Sequence, residues 1–400
     1  MAKDHSVKLL YVIIFAVILG VITGWTMGED ALMFSWMGTL FLNALKMILV
    51  PLIVAAIITG ISSLGDIRHM GRSGAITLGF FVVMMIIASV LSITVAEIID
   101  PGANFQLNTI PDADITQSRA SVGDVLLGMI SPNIVASVAN MELLQLVVFS
   151  VIFGAALTVI GEKGKVIVNF FEAINSVMMV IVGWIMYLSP FGIFALVALP
   201  IAQAGGGAAV ISGFSAVGAY VLTVVSGLIL QGILLFFVMK LLTGKGLGYI
   251  RDVMPAVITA FSTSSSSATM PTCIEYTEKH GLKKSAIRFV IPLGSTIHMN
   301  GSAVYQAAAA IFLSQVYGIS LGFDDYLTII LLSVLAAFGS AGIPQGGYLM
   351  TLMIMSVIGI PVEGFGLILS VDWFLDRAHT TLNVWGDLIA AAVLDRYIEE

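Results

Sequence analysis

The sequence predicts an all-α polytopic membrane protein. Three observations carry that prediction: 58% of the residues are hydrophobic against 10% charged, mean hydropathy is +1.05, and long uncharged apolar runs recur from end to end. A run of about 20 apolar residues reads as a spanning helix, so lipid is the main solvent of this chain. The net charge of -7 says nothing about partners, because in membrane proteins the placement of Lys and Arg matters more than their sum. Nucleic-acid binding has no support, and the single cysteine, Cys273, leaves no intramolecular disulfide to form.

The start, MAKDHSVKLLYVIIFAVILGVITGW, has a charged leader like a signal peptide. Its apolar stretch of about 19 residues is long enough to span, so it reads as a retained first helix. Helical segments are expected at 8–27, 33–65, 74–99, 121–160, 164–200, 209–241, 286–315 and 366–395, with Pro51 and Pro190 as kink sites. Basic residues gather before the first helix (Lys3, Lys8), at 66–72, at 161–165 and at 240–251, whereas 100–123 is acidic with one arginine. The positive-inside rule puts the basic loops in the cytoplasm and the acidic loop outside.

Two weaker segments interrupt this series. The first, 252–275, contains FSTSSSSATMP and is followed by the basic stretch EYTEKHGLKKSAIR. Basic loops on both sides imply a re-entrant hairpin that enters and leaves on the cytoplasmic face. Hydroxyl-rich, irregular backbone at membrane depth is tolerated only inside protein or beside a watery cavity. The alternative is a flexible Ser-rich linker, which the apolar flanks MPAVITAF and ATMPTCI oppose. The second, about 326–360, carries GSAGIPQGGY in the middle of an apolar run, and glycine and proline there break it into two half-helices. Two interrupted segments in corresponding places point to a transporter with inverted repeats. Half-helix N-termini offer free N–H groups suited to a carboxylate.

The last helix, SVDWFLDRAHTTLNVWGDLIAAAVL, holds the densest polar pattern. Asp372, Asp376, His379, Thr380, Asn383 and Asp387 fall within an arc of roughly 100° on a helical wheel. A surface amphipathic helix gives the same stripe. The other positions include Trp373, Phe374, Leu375, Leu382, Val384, Trp385, Leu388 and Ile389, however, and carboxylates inside a membrane bundle mark an ion or substrate path. Arg377 lies off the stripe and is expected to pair with a neighbouring element.

The serine run 262–267, HMNGS at 298–302, GIPQGG at 342–347 and the stripe from Asp372 to Asp387 together resemble the dicarboxylate/amino acid:cation symporters, the family of glutamate transporter homologues. The resemblance covers nearly the whole chain, including PLGSTIHMNGSAVYQ and YLSPFGIFALVA. It implies eight transmembrane helices plus two re-entrant hairpins, at about 249–277 and 322–360, in a homotrimer that works by an elevator mechanism. Residues 1–72 and 101–207 would form the scaffold. Residues 73–100 and 208–400 would form the moving transport domain. Carried over by position, the resemblance places Ser265, Ser266, Ile343 and Gly347 at the hairpin tips against substrate, with Met299 and Ser302 in the same pocket. It gives the substrate α-carboxylate to Thr380 and Asn383 and the α-ammonium to Asp376. An acid at 376 favours an amino acid over a plain dicarboxylate.

Departures from the family pattern carry their own expectations. His379 stands where acidic amino acid carriers have an arginine; it is shorter, lacks the bidentate fork and titrates near neutrality. Asp372, on the same face, is expected to hydrogen-bond the ring. A neutral or polar amino acid is favoured, with an acidic one open if His379 is charged and a purely structural His379 as the bland reading. Of the ion positions, His298 and Asn300 replace an asparagine and an aspartate, and Phe81, Met84 and Met85 replace Tyr, Thr and Ser. Hard cations prefer oxygen ligands over thioethers, so that sodium site is expected to be lost. A second site, at Asp387 with carbonyls of Gly294 and Asn383, and a third, on carbonyls around Thr296, Met299, Ala337, Phe338 and Ser340, remain open. His298 is either a proton site replacing one sodium or a satisfied buried imidazole.

The function expected is cation-coupled transport of an amino acid at the inner or plasma membrane, both termini cytoplasmic, with H⁺ or fewer Na⁺ as coupling ion and no other cofactor. The alternatives are a carrier of acidic amino acids or dicarboxylates with ordinary Na⁺ coupling, and an uncoupled facilitator or channel. An enzyme is disfavoured, since the five histidines and the serine run show no triad spacing or metal-ligand cluster.

Overall fold

The structure is a computed structural model that describes residues 2–62, 71–103, 105, 107, 122–203, 208–339, 346–361 and 364–397. All regular structure among these residues is helical. Much of the acidic loop, most of the basic loop at 66–72, and Ser340 and Ile343 at the second expected tip lie outside the described residues.

Helix α1 (Ala2–Met27) lies along α7 (Lys165–Gln203), which also receives α2 (Ser35–Ser62); α2 in turn packs on α6 (Leu143–Ile160). The α1–α7 approach is close because Gly20 and Gly24 sit one turn apart. A Cβ at Gly20 would stand 2.6 Å from the Phe194 carbonyl oxygen, and one at Gly24 2.5 Å from that of Ala198. Small residues at such spacing let membrane helices meet backbone to backbone.

The other helices pack mainly among themselves. They are α3 (Gly71–Ile99), α8 (Ala208–Thr243), α9 (Leu247–Thr263), α10 (Ser266–His280), α11 (Lys284–Ile297), α12 (Asn300–Val316), α13 (Phe323–Gly339), α14 (Gly346–Ile358) and α15 (Phe365–Leu394). Ser92 on α3 donates to the Val304 carbonyl of α12 at 2.6 Å. On α8, Tyr220 stacks on Phe312 of α12 with centroids 4.8 Å apart. Helix α15 runs through this group, touching α8, α9, α11 and α12.

Two segments differ from the sequence expectation. The run 121–160 is not one helix but α4 (Val122–Gly128), α5 (Ile134–Ala139) and α6. Asn133 caps α5 by accepting from Val135 N and Ala136 N, so its side chain starts a new helix where hydropathy alone reads a continuous run. The run 286–315 breaks at His298–Met299, which leave helical geometry with ψ of 70° and 63°. Pro51 and Pro190 lie inside helices that continue through them.

Four stretches, Tyr11–Ser62, Gly74–Ile99, Leu143–Ala202 and Ile211–Thr243, are long and apolar enough to cross a membrane. Phe15, Trp184, Phe191 and Phe237 are exposed on them, a surface that suits acyl chains rather than water.

Candidate functional site

Helices α9 and α10 pack against each other across a turn at Ser264–Ser265. Ser264 adopts a left-handed conformation, φ 52°. The Ser265 side chain accepts from Ala268 N at 3.2 Å, capping α10. Thr269 donates to the Ser265 carbonyl at 2.8 Å and lies 3.1 Å from the Thr263 hydroxyl. Hydroxyls therefore hold the turn, as Ser and Thr do where backbone leaves a helix. Ser266, next in the run, is 2% exposed, and its Oγ has no hydrogen-bond partner.

The break between α11 and α12 frees the first amides of α12, and α15 satisfies them. Asn383 Oδ1 accepts from Gly301 N at 2.7 Å and from Ser302 N at 3.3 Å, and Asn383 Nδ2 donates to Ser302 Oγ at 3.3 Å. A side chain from another helix thus caps α12, the task an N-cap residue performs within its own chain segment.

All six polar residues of the α15 stripe are buried, at 1–5% exposure. They form two clusters. In the first, His379 Nε2 lies 3.2 Å from Asp376 Oδ1, and the Tyr305 hydroxyl donates to Asp372 Oδ1 at 2.7 Å. This corrects the expectation for Asp372, whose hydrogen bond goes to Tyr305, while the imidazole pairs with the acid one turn away. Gly347 on α14 abuts the same imidazole, where a Cβ would stand 3.3 Å from His379 Nε2. Gln306 Nε2 reaches the Gly347 carbonyl at 3.5 Å. Thr380 is buried at the same level of the helix. Arg377 donates to the Trp373 carbonyl of its own helix rather than to a neighbouring element.

In the second cluster His298 Nδ1 is 3.1 Å from Asp387 Oδ1, and Asn300 Nδ2 is 3.0 Å from His298 Nε2. With Nδ1–H directed at the carboxylate and the Asn300 amide donating to Nε2, the neutral ring has both nitrogens satisfied. Phe81 stacks on this ring, centroids 4.1 Å apart and planes 12° off parallel; Met84 and Met85 are buried on the same helix. Gly294 lets α11 approach, since a Cβ there would stand 2.7 Å from Asp387 Cγ. Thr296 bonds carbonyls of its own helix, at Leu293 and Pro292. Met299 and Ala337 are buried, and Phe338 packs against the core. Among the described residues no three His, Cys, Asp or Glu side chains converge as metal ligands.

The structure brings together residues that the sequence scatters over three segments, the α11–α12 break, α14 and α15, and packs α10 on α11 and α15. That arrangement has a counterpart in sequence comparison, where the model of the sodium:dicarboxylate symporter family matches residues 9–397. The chain belongs to that family. The Neutral amino acid transporter B(0) of Bos taurus is 35% identical over 92% of this chain and 74% of its own length. The Proton/sodium-glutamate symport proteins of Bacillus subtilis (strain 168) and Bacillus caldotenax are 33% and 30% identical, covering 96% and 98% of this chain and 91% and 95% of their own lengths. Family and relatives are transporters, so this member is a multi-pass membrane transporter and not an enzyme.

Sequence reasoning on this symporter-family chain missed two contributors. Tyr305, the donor to Asp372, was visible as a residue four after Gly301 and so on the same face of α12. The trans cap by Asn383 left no local signal, because its partners are 81 and 82 positions away.

Proposed function

We propose that the chain is a secondary carrier that moves an amino acid across the inner or plasma membrane, coupled to a cation, with both termini cytoplasmic. The observation that carries this reading is the buried stripe of α15. Its carboxylates, imidazole and amide face the α11–α12 break and the start of α14 in an otherwise apolar bundle, and groups so costly to bury are kept for a polar cargo. Asp376 would hold the α-ammonium, and Thr380, Asn383, Met299, Ser302 and the amides at Ser266 and Gly347 would surround the rest. Asn383 would work through Nδ2, since its Oδ1 already serves α12.

Packing supports an elevator in which α3 and α8–α15 move as one past α1, α2, α6 and α7, with both hairpins re-entrant and the carrier a homotrimer. Each group buries its own contacts, and a smaller surface joins them.

For coupling, the sodium site at Phe81, Met84, Met85, His298 and Asn300 offers an aromatic face and thioethers where a hard cation needs oxygens. His298 is the candidate to take a proton in its place, with the Asn300 Oδ1, which has no partner, turning to accept the new N–H while Asp387 balances the charge; the competing reading is a permanently neutral imidazole satisfied by Asp387 and Asn300. Sodium is then retained at fewer sites than a full set. The relatives' names span glutamate, neutral amino acids, sodium and protons, so the alternative is ordinary Na⁺-coupled uptake of acidic substrates.

Uptake into proteoliposomes with Na⁺ and H⁺ gradients imposed separately tests both parts. Accumulation driven by an inward H⁺ gradient is expected. Uptake that a Na⁺ gradient drives at clamped voltage and pH as fully as in ordinary family members, with no response to the H⁺ gradient, refutes the coupling, and flux without accumulation under either gradient refutes the carrier.

A further inference from the structure

Helix α2 carries a single charged residue, Lys46. Its 28 residues make a helix about 42 Å long against about 30 Å of hydrocarbon, and Lys46 lies about 17 Å from its start, at membrane depth. The side chain is half-buried, and among the described residues it has neither a carboxylate nor a hydrogen-bond acceptor as partner. An unpaired ammonium at that depth is costly and marks a place where something else supplies the counter-charge.

A cleft of about 450 Å³ opens beside it. Lys46, Leu49 and Leu143 line one wall, on α2 and the start of α6; Leu352, Ser356 and Ile360 line the other, at the end of α14. The four aliphatic side chains are themselves buried at 2–4% exposure, so the walls are rigid and apolar. The Ser356 hydroxyl is exposed and has no hydrogen-bond partner among the described residues. The cleft thus offers an ammonium and a hydroxyl as donors and hydrocarbon elsewhere. An inorganic anion would find two donors and an apolar wall that cannot replace its hydration. An anion that carries an alkyl chain uses both, since the chain buries apolar surface while the head pairs with Lys46. A carboxylate has two oxygens for the two donors, and a cleft near the lower end of the roughly 300–1,000 Å³ of small-molecule sites suits one chain.

We propose that this cleft binds a long-chain fatty acid, with its carboxylate on Lys46 and Ser356 and its tail along Leu49, Leu143, Leu352 and Ile360. The bound acid bridges α2 and α6 on one side and α14 on the other, and so braces two groups of helices that must slide past each other. It slows transport for that reason. The brace rests on the carrier reading above; the binding site does not.

The test measures binding of tritiated palmitate to the purified full chain in phosphatidylcholine nanodiscs, with empty nanodiscs subtracted. Saturable binding is expected, and hexadecanol, which has the same chain without the charge, should compete at least about ten-fold less well than unlabelled palmitate. Lys46→Gln is expected to lose about ten-fold in affinity, Lys46→Arg to retain binding, and Ser356→Ala to lose less than Lys46→Gln. In proteoliposomes palmitate should slow amino acid uptake by the unmodified protein and by Lys46→Arg, and leave the rate of Lys46→Gln unchanged. Partitioning without saturation, hexadecanol competing as well as palmitate, phosphatidylglycerol in the disc displacing palmitate, or undiminished binding by Lys46→Gln overturns the site. The hexadecanol comparison needs no variant to fold. Saturable binding that leaves uptake unchanged overturns the brace. Saturable binding by a protein that takes up no amino acid supports the site and refutes the carrier reading instead.

Discussion

Gly301 is the point where α12 lies flat against α15, and replacing it with alanine tests whether that approach builds the site. A Cβ there would stand 2.7 Å from the His379 carbonyl carbon and 2.8 Å from its Cα. Carbon atoms in contact need about 3.5–4.0 Å, so the two helices must part by about 1 Å. The obstacle is backbone, which has no rotamer to escape into. Parting stretches the 2.7 Å bond from Gly301 N to Asn383 Oδ1 toward about 3.7 Å, beyond hydrogen-bonding range. Overpacking costs about 1–3 kcal/mol, and an amide left unsatisfied costs about 1–3 kcal/mol more. Gly301→Ala is therefore expected to lose about 2–6 kcal/mol of stability, together with substrate binding, since Asn383 and His379 both shift. Gly60→Ala is the control: it adds the same methyl to a buried helix position whose nearest neighbour, Thr296 Cβ, is 3.9 Å away. Thermal unfolding of the purified protein in detergent and amino acid binding by the same samples give the readout. A Gly301→Ala protein that melts and binds like the Gly60→Ala control refutes the reasoning.

Three further changes probe the clusters. Tyr305→Phe removes the donor to Asp372 at 2.7 Å and should cost about 1–3 kcal/mol, as leaving a buried polar group without its partner does; unchanged thermal stability would contradict that role. His298→Gln keeps a donor for Asp387 but cannot carry the proton, so H⁺-driven accumulation should disappear while substrate binding persists; retained H⁺-driven uptake would remove His298 from coupling. His379→Arg brings a permanent charge and a planar fork that pairs with carboxylates, and competition assays should show preference moving toward aspartate or glutamate. An unaltered ranking of substrates would take the side chain at 379 out of selection.

Much of the architecture is legible in the sequence because lipid imposes a simple code. Spanning runs are long and uncharged, so α1, α2, α3, α7 and α8 stand out by length alone. The serine run announced a turn, and Ser264 and Ser265 form it. The break at His298–Met299 was not legible, since neither residue is a helix breaker and the stretch reads as apolar. It exists because Asn383, from another helix, satisfies the amides that the break exposes. The run 121–160 failed for a related reason: a single cap, Asn133, overrides continuous hydropathy.

Periodicity by itself put Asp372, Asp376, His379, Thr380, Asn383 and Asp387 on one face of α15, because a helix turns by a fixed angle per residue whatever surrounds it. Composition and the long uncharged runs set the membrane as solvent. Only the tertiary structure decided which partner each group takes: Tyr305 for Asp372, His379 for Asp376, His298 for Asp387. Those choices depend on how far neighbouring helices are rotated and how closely glycines let them approach. Hydrogen bonds act over about 3 Å, a distance fixed by packing between segments remote in the chain and so absent from any local pattern of residues.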